Sequence, residues 1–319
     1  MSSLLSRFAE NSFWLARYVQ RAENLARILE TNETFARNEH GESDWLPILR
    51  LHHDEERFNE LYRNLDVRNV VHFYLIDEKN PNSIRCTIRA ARENARSIRH
   101  LISLETWTQL NVFDNFLRGI KKQNVKLNEL SRLCGRIKEG CQLHFGIANG
   151  TLFRDQVWSF YRLGSLIELC DQTTRLVDIK YHSLLPRYDD VGTPLDVAQW
   201  NALLRSASAY HGYRRVYPYE MTPVKVAGFI LLNPRFPRSI THCVNAIRDS
   251  IAELLSNEEV RHVSFAPAAL DELIALSSFE PRQIIDYGLH EFLDQVQLRL
   301  IELVDAIDDT FFLARYTNS

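Results

Sequence analysis

The sequence is poor in the two residues that break helices and form tight turns. Only 11 glycines and 10 prolines occur in 319 residues. A β-sandwich or a small barrel needs turn residues about every 8–12 positions, so the shortage argues against such folds and favours long helices. Hydrophobic residues make up 45% of the chain and charged residues 25%, a balance typical of a folded globular protein.

Other absences narrow the class of protein further. No apolar run approaches the ~18 residues that span a bilayer, and the net charge of −3 gives no overall attraction to nucleic acid or to an anionic membrane. The five cysteines are odd in number and lie in apolar or helical contexts, which indicates reduced thiols. Because residues 1–7 do not resemble a signal peptide, we expect a soluble, cytoplasmic protein.

The motifs that hold nucleotides, metals or nucleophiles are also missing. Neither GxxxxGK[ST] nor a GxGxxG after a strand occurs, and no Ser or Cys stands in a nucleophile elbow. Cys134, Cys141 and His144 share a helical face, but a zinc site needs closer, paired ligands, so we interpret them as core residues. His52 and His53 precede three acids and are interpreted as a solvated helix start. The sequence predicts no metal site and leaves the cofactor, if there is one, unknown.

Apolar residues recur at helical spacing along nearly the whole chain. In residues 3–37 they fill one arc of a helical wheel, and Ser83 provides an N-cap for a second helix just after Pro81. Further helices, separated by prolines, are predicted at 125–145, 153–180, 195–209, 222–232, 237–256, 267–277 and 282–313. The prediction is an all-α protein, with a short strand near 70–76 as an open alternative.

Two halves of the sequence resemble each other. The similar segments, in chain order, are 13–30 with 161–178, 44–50 with 199–205, and 73–84 with 229–240. Because the segments keep their order, we predict a duplicated helical bundle with a pseudo-twofold axis. The predicted units of this single compact domain are 1–125, a connecting helix at 126–149, and 150–319. The alternative is that generic amphipathic helices merely look alike.

Arginines stand at positions where the helical pattern is apolar. Arg21 projects into the apolar arc of the first helix, and Arg162 does the same on the helix at 153–180. A buried guanidinium must be paired, either with a carboxylate or with an anionic ligand. Glu23, Glu168 and Asp171 are the candidate protein partners. An internal salt-bridge network and a ligand site both remain open.

A second arginine cluster forms a stripe. Five arginines fall within about 80° of one helix face against a single acid, Glu93; they are Arg85, Arg89, Arg92, Arg96 and Arg99. Their mutual repulsion requires an anionic partner, either the acidic residues of 286–309 or a bound phosphate or carboxylate. Nucleic acid fits less well, since interleaved aromatic residues and overall basicity are lacking.

These patterns give one set of candidate site residues. The anion-binding candidates are Arg17, Arg21, Asn24, Arg27, Arg89, Arg92, Arg96, Arg162, Arg175 and Arg238. The candidates for a general acid or base are Glu23, Glu93 and Asp171.

Two motifs carry a family resemblance. RYVQRAEN in residues 17–24 and ARENAR in residues 91–96 resemble the Alpha-E family of bacterial all-helical proteins, and the similarity extends over essentially the whole chain. The second half departs from the family pattern, since Ser165 and Leu169 replace basic residues, and Gln20 stands where a Glu is usual. The resemblance implies an all-α fold and association with circularly permuted ATP-grasp proteins and transglutaminase-like proteins. The implied setting is ATP-dependent amide ligation or peptide modification.

Three functions follow as hypotheses. The first is an accessory or substrate-binding protein that docks on an ATP-grasp ligase and presents an anionic substrate through the arginine clusters. The second is an enzyme of the same pathway, with one of the three acids as general acid or base. The third is a purely structural interaction protein. The lack of a nucleotide motif, metal ligands and a nucleophile favours the first.

Overall fold

The protein is built from helices packed around two long central ones. The computed structural model describes residues 6–38, 45–184, 194–256 and 268–313, and every regular element in these ranges is helical. The helices are α1 Ser6–Asn38, α2 Leu46–Leu51, α3 Glu55–Leu61, α4 Val67–Leu75, α5 Ile84–Ser97, α6 Leu104–Gly119, α7 Leu130–Thr151, α8 Gln156–Leu184, α9 Pro194–Ser206, α10 Tyr210–Val216, α11 Pro223–Leu232, α12 Ile240–Ser256, α13 Ala268–Ser277, α14 Pro281–Tyr287 and α15 Leu289–Ile307. A π-helical segment, Asp308–Leu313, follows α15. The predicted all-α class is confirmed.

The central pair is α1 and α8, which pack against each other over most of their length. Small and aliphatic side chains line the contact, and Leu15, Ala22 and Leu163 are completely buried in it. The helices approach closely at Gly164, where a Cβ atom would overlap the backbone of Phe13. This close contact brings the polar side chains along the α1–α8 seam within hydrogen-bond range of one another.

The remaining helices surround this pair in a repeated order of contacts. α1 contacts α5 and α7, while α8 contacts α12 and α15. Within the surrounding layer, α5 contacts α6 and α6 contacts α7, just as α12 contacts α13 and α13 contacts α15. Each central helix also contacts a short helix from the other half of the chain: α1 contacts α9, and α8 contacts α2.

Local capping signals decide several helix starts. Ser83 accepts a hydrogen bond from the Cys86 amide at 3.3 Å and starts α5, as predicted. Ser103 caps α6 in the same way, a helix that the spacing analysis did not separate. The open alternative of a strand near 70–76 is wrong, because α4 covers most of it. The predicted helix 282–313 is interrupted at Gly288, whose φ of +100° ends α14.

Candidate functional site

A buried carboxylate, Glu168, organises the middle of the α1–α8 seam. Arg21 donates to it twice, from Nε at 2.7 Å and from Nη2 at 3.0 Å, and Arg17 Nε donates at 2.9 Å. Gln172 Nε2 adds a bond at 3.2 Å. Burial alone raises the pKa of Glu168, but Arg21 and then Arg17 outweigh burial and bring it to about 2. Glu168 is therefore ionised, and of the three candidate carboxylates it is the one that pairs with Arg21.

The two arginines keep donors that Glu168 does not use. Three of their nitrogens donate to no protein acceptor within the described chain. They are Nη1 and Nη2 of Arg17 and Nη1 of Arg21. The Arg17 guanidinium lies 4.6 Å from the ring centre of Trp14, which holds it by a cation–π contact. Both side chains are partly exposed, Arg17 by 11% and Arg21 by 26%. Their remaining N–H groups are therefore accessible to a ligand.

A second carboxylate, Glu23, is saturated by protein groups. Arg27 donates to its Oε1 from Nη2 at 2.6 Å and from Nε at 3.1 Å, and Arg238 Nη2 donates to the same oxygen at 2.5 Å. Gln20 donates to Oε2 at 3.2 Å, while Arg238 Nη1 bonds Asn24 Oδ1 at 3.1 Å. Burial raises the pKa of Glu23, but Arg238 and Arg27 together hold it below its usual value. This cluster is an internal salt-bridge network.

The third carboxylate, Asp171, has a simpler set of partners. Arg175 donates to it from Nε at 2.8 Å and from Nη2 at 3.2 Å. The remaining Arg175 nitrogen, Nη1, donates to the Leu51 carbonyl at the end of α2, at 2.5 Å. Asp171 is 15% exposed, so it combines an ionic partner with access to solvent.

Two cavities open beside these groups. The first, of about 250 Å³, lies between the central pair and α15 and has Arg17 in its wall. The second, of about 200 Å³, has His52 and Gln172 in its wall. Both are lined by Arg21, Asp171 and Arg175, and we call the two together the α1–α8 cleft.

The wall of the second cavity holds two buried polar atoms that have no hydrogen-bond partner in the described part of the chain. They are His52 Nε2 and Gln172 Oε1, and Gln172 is only 4% exposed. Burial, followed by the charges of Arg175 and Arg21, lowers the pKa of His52 to about 3, so its ring is neutral at physiological pH. The interpretation of His52 as part of a solvated helix start is wrong, because it is the C-cap residue of α2 and its ring lines the cavity.

The stripe on α5 lies against α6 and away from this cleft. Arg85 donates to the carbonyls of Leu117 and Ile120 at the end of α6. Arg92 donates to Asn111 on α6 at 2.8 Å. These oxygens, with Glu78 before α5 and Glu93 on it, are the partners of four arginines of the stripe, and the fifth, Arg99, lies over the ring of Trp107.

The protein partner expected for the stripe is therefore not the one it has. The acidic residues at 286–309 lie on α14, α15 and the segment after it, none of which packs against α5 among the principal helix contacts. Arg96 pairs with Glu93 at 2.6 Å and is 67% exposed, and Arg89 reaches Glu78 at 3.6 Å. Neither cavity of the cleft is lined by the arginines of the stripe.

The structure therefore divides the sequence-derived candidates into separate groups. The cleft brings together Arg17, Arg21, Asp171 and Arg175. The others lie elsewhere: Asn24, Arg27 and Arg238 bind around Glu23, Arg162 is partly exposed on α8, and Arg89, Arg92, Glu93 and Arg96 are on α5.

Sequence reasoning missed His52 and Gln172 as site residues and named Glu168 only as a salt-bridge partner. A signal for two of them existed in the alignment of the halves. Gln172 falls 148 residues after Asn24, which was a candidate, and Glu168 falls 148 residues after Gln20.

Fold and cleft together define the class: an all-helical protein whose two central helices enclose an arginine-rich, partly buried cleft. The chain belongs to the Alpha-E family, whose model, described as "a predicted alpha-helical domain with a conserved ER motif", matches residues 4–312. The resemblance carried by the two sequence motifs is thereby confirmed. Neither the curated proteins nor the solved structures gave a match.

Two structural findings complete the description of the site. In the described ranges, no group of three or more His, Cys, Asp or Glu side chains is placed to hold a metal ion. None of the helices in those ranges combines the length and apolarity required to cross a membrane.

Proposed function

We propose that this protein binds a small anionic ligand in the α1–α8 cleft and serves as an accessory or substrate-binding protein in an ATP-grasp-linked pathway of amide ligation or peptide modification. The observation that carries the proposal is the set of unused N–H donors on Arg17 and Arg21 beside a cavity that both line. Guanidinium groups bind carboxylate and phosphate through parallel N–H bonds. The pathway and its ATP-grasp or transglutaminase-like partner are what the family resemblance implies.

We further propose that the chain is a duplication, with the central pair related by a pseudo-twofold axis. The two non-glycine residues with positive φ in the described ranges, His53 and Ser208, follow α2 and α9 at equivalent places. The hydrogen bonds of the two central arginines are also reciprocal. Arg27 on α1 donates to the Ser206 carbonyl at the end of α9, and Arg175 on α8 donates to the equivalent carbonyl at the end of α2.

The contacts of α7 refine the boundary between the proposed units. α7 packs against α1 and α6, as α15 packs against α8 and α13. We therefore place α7 in the first unit, with the boundary between α7 and α8, instead of treating 126–149 as a separate connection.

Anion binding is tested by the melting temperature at low salt in the presence of phosphate or succinate. A ligand that binds only the folded state stabilises it by RT ln(1 + [L]/Kd), about 2.7 kcal/mol at a hundredfold excess over Kd. Arg17→Gln removes donors from the first cavity and should abolish the shift. Arg96→Gln is the matched control, since Arg96 lies on α5 and lines neither cavity.

Two results would contradict anion binding in the cleft. One is the absence of stabilisation by any phosphate or carboxylate compound in the unmodified protein. The other is an equal loss of stabilisation in both variants, which would indicate nonspecific charge screening. The pathway assignment has a separate test: affinity purification from the native host should recover an ATP-grasp or transglutaminase-like protein, and recovery of neither would refute it.

A second candidate function is an enzyme of the same pathway. Of the three proposed acids, Asp171 alone lines the cleft, where it shares the second cavity with the neutral imidazole of His52. Glu23 is saturated by arginines, and Glu93 lies on α5. If Asp171 is a general base, Asp171→Asn should abolish turnover in the reconstituted pathway while phosphate still raises the melting temperature.

A further inference from the structure

The second cavity is best understood by comparison with the saturated cluster around Glu23. On α1, Glu23 and Asn24 are adjacent, and both receive hydrogen bonds from the guanidinium of Arg238. Arg238 lies two residues before the start of α12. One side chain from a neighbouring segment therefore satisfies both the carboxylate and the amide oxygen beside it.

Among the residues that the structure describes, none supplies such a side chain at the equivalent place on α8. Asp171 and Gln172 follow Glu23 and Asn24 by 148 residues, and each acid pairs with an arginine four residues later. The residue two positions before α5 is Asn82, which is too short to take the place of an arginine. Its amide nitrogen lies 3.4 Å from Asp54 Oδ1 instead. A cavity of about 200 Å³ remains, lined by Asn82, Asp171 and Gln172.

The polar atoms of this cavity match what a guanidinium would satisfy. Gln172 Nε2 donates to Glu168 and to Asp171, which fixes the orientation of the amide and leaves its Oε1 buried and without a partner among the described residues. The corresponding oxygen of Asn24 is the one that accepts from Arg238. Asp171 supplies a carboxylate, and His52 Nε2 is a further buried atom to which no described residue bonds.

We propose that the second cavity binds the guanidinium group of an arginine ligand, which takes at Asp171 and Gln172 the place that Arg238 takes at Glu23 and Asn24. The ligand is free arginine or a peptide with a C-terminal arginine. The volume equals that of roughly six or seven water molecules in the liquid, enough for a guanidinium and the methylenes next to it.

Two arginines and one acid line the cavity, and each arginine is already paired with a carboxylate, Arg21 with Glu168 and Arg175 with Asp171. Glu23 already accepts from two guanidinium groups, Arg27 and Arg238. Asp171, bonded to Arg175 and to the guanidinium of the ligand, would have the same two guanidinium groups on one carboxylate. The carboxylate of the ligand then binds the free N–H donors of Arg17 and Arg21 in the adjoining cavity. This second contact rests on the proposed anion-binding function, whereas the guanidinium contact does not.

Isothermal titration with four ligands separates the two contacts. Arginine presents both groups, agmatine presents the guanidinium without a carboxylate, and citrulline replaces the guanidinium by a neutral ureido group. Alanyl-arginine distinguishes a peptide from the free amino acid. We expect arginine or alanyl-arginine to bind, citrulline to bind about tenfold to hundredfold more weakly because charged hydrogen bonds are lost, and agmatine to retain part of the affinity.

The chain also offers a variant that fills the cavity from within. Asn82→Arg places a guanidinium two residues before α5, as Arg238 stands before α12, and it should raise the melting temperature and abolish agmatine binding. Asn59→Arg, on the exposed face of α3, adds the same charge and should leave binding unchanged. Gln172→Met provides an independent variant, which removes the amide oxygen and should weaken agmatine binding about tenfold.

The outcomes are distinguishable from those of the anion-binding test. Binding of agmatine and arginine without stabilisation by phosphate or succinate supports the guanidinium site and refutes the anion site. Stabilisation by phosphate with no binding of arginine, alanyl-arginine or agmatine overturns this inference and leaves the anion site standing. Citrulline equal to arginine, or unchanged agmatine binding in both Asn82→Arg and Gln172→Met, also overturns it.

Discussion

Replacing Glu168 by Gln removes one negative charge from the centre of the α1–α8 seam while keeping the side-chain shape. Glu168 is fully buried and accepts hydrogen bonds from Arg17, Arg21 and Gln172. The new amide nitrogen faces guanidinium N–H groups, so a donor meets donors. Two guanidinium groups lose their counter-ion at the same time.

The expected cost follows from the pKa of the carboxyl group. Its folded-state pKa is about 2 against an ordinary value of 4.5, and each unit corresponds to about 1.4 kcal/mol. The carboxylate therefore contributes about 3 kcal/mol at neutral pH. Stranding one partner of a buried ion pair costs about 3–5 kcal/mol in other proteins, so we expect Glu168→Gln to destabilise the fold by about this amount.

The pH dependence gives an independent check on the same number. A folded-state pKa below the unfolded one stabilises the protein above pH 4.5, and this contribution disappears as the pH falls through about 2. The unmodified protein should lose it over that window, whereas Glu168→Gln has no carboxyl group to titrate there. The difference in unfolding free energy between the two should therefore shrink as the solution becomes acidic.

Urea unfolding followed by far-UV circular dichroism measures both quantities. Glu93→Gln is the matched control, since Glu93 also pairs with two arginines, Arg92 and Arg96, but is 42% exposed. Solvent weakens such pairs, and the control should cost less than about 1 kcal/mol. Two results would refute the reasoning: equal losses of unfolding free energy in the two variants, or a loss in Glu168→Gln that stays the same at acidic pH. Either would show that burial does not determine how much these ion pairs stabilise the fold.

Further predictions concern the backbone, the thiols and the buried histidine. Gly164→Ala should lower the melting temperature because its Cβ overlaps the backbone of Phe13, whereas Gly146→Ala, with no atom within 4 Å of the new Cβ, should raise stability by about 0.5–1 kcal/mol. Gly288→Ala should cost roughly 1–2 kcal/mol, measured by urea unfolding, because φ is +100°. All five cysteines are buried, so Ellman's reagent should label them only at the rate of unfolding. His52, with a pKa near 3 against 6.5 when unfolded, should make stability fall as the pH drops below 6.5, and His52→Asn should remove that slope.

The sequence predicted the long helices because their signals are local. Apolar spacing located α1 and α8 to within a few residues of their ends, and the serine N-cap located the start of α5. The short helices α2 and α10 were missed because six or seven residues cannot form a stable helix alone, and packing against other elements holds them. Of α3, only the start was predicted. The break at Gly288 had a visible signal, a glycine in an otherwise continuous pattern.

The site could be predicted only where a charged side chain occupied an apolar position of the helical pattern. Arg21 on an apolar arc required a carboxylate, and Glu168 supplies it. The arginine stripe likewise predicted an anionic partner, but Arg85 donates instead to the backbone carbonyls of Leu117 and Ile120. No count of charges along a sequence shows where helix ends will lie, so this solution could not be foreseen.

The reciprocal bonds of Arg27 and Arg175 bear on the order in which the chain folds. Arg27 bonds the final carbonyl of α9, 179 residues away in sequence, and Arg175 bonds the final carbonyl of α2, 124 residues away. Such contacts close late, because long loops must be ordered before the bonds form. α2 and α9 therefore gain their last hydrogen bonds only after both central helices have docked. A fragment ending after α7 would leave the Leu51 carbonyl without its donor and Arg27 Nη1 without the Ser206 carbonyl. The two halves should therefore become stable only in each other's presence.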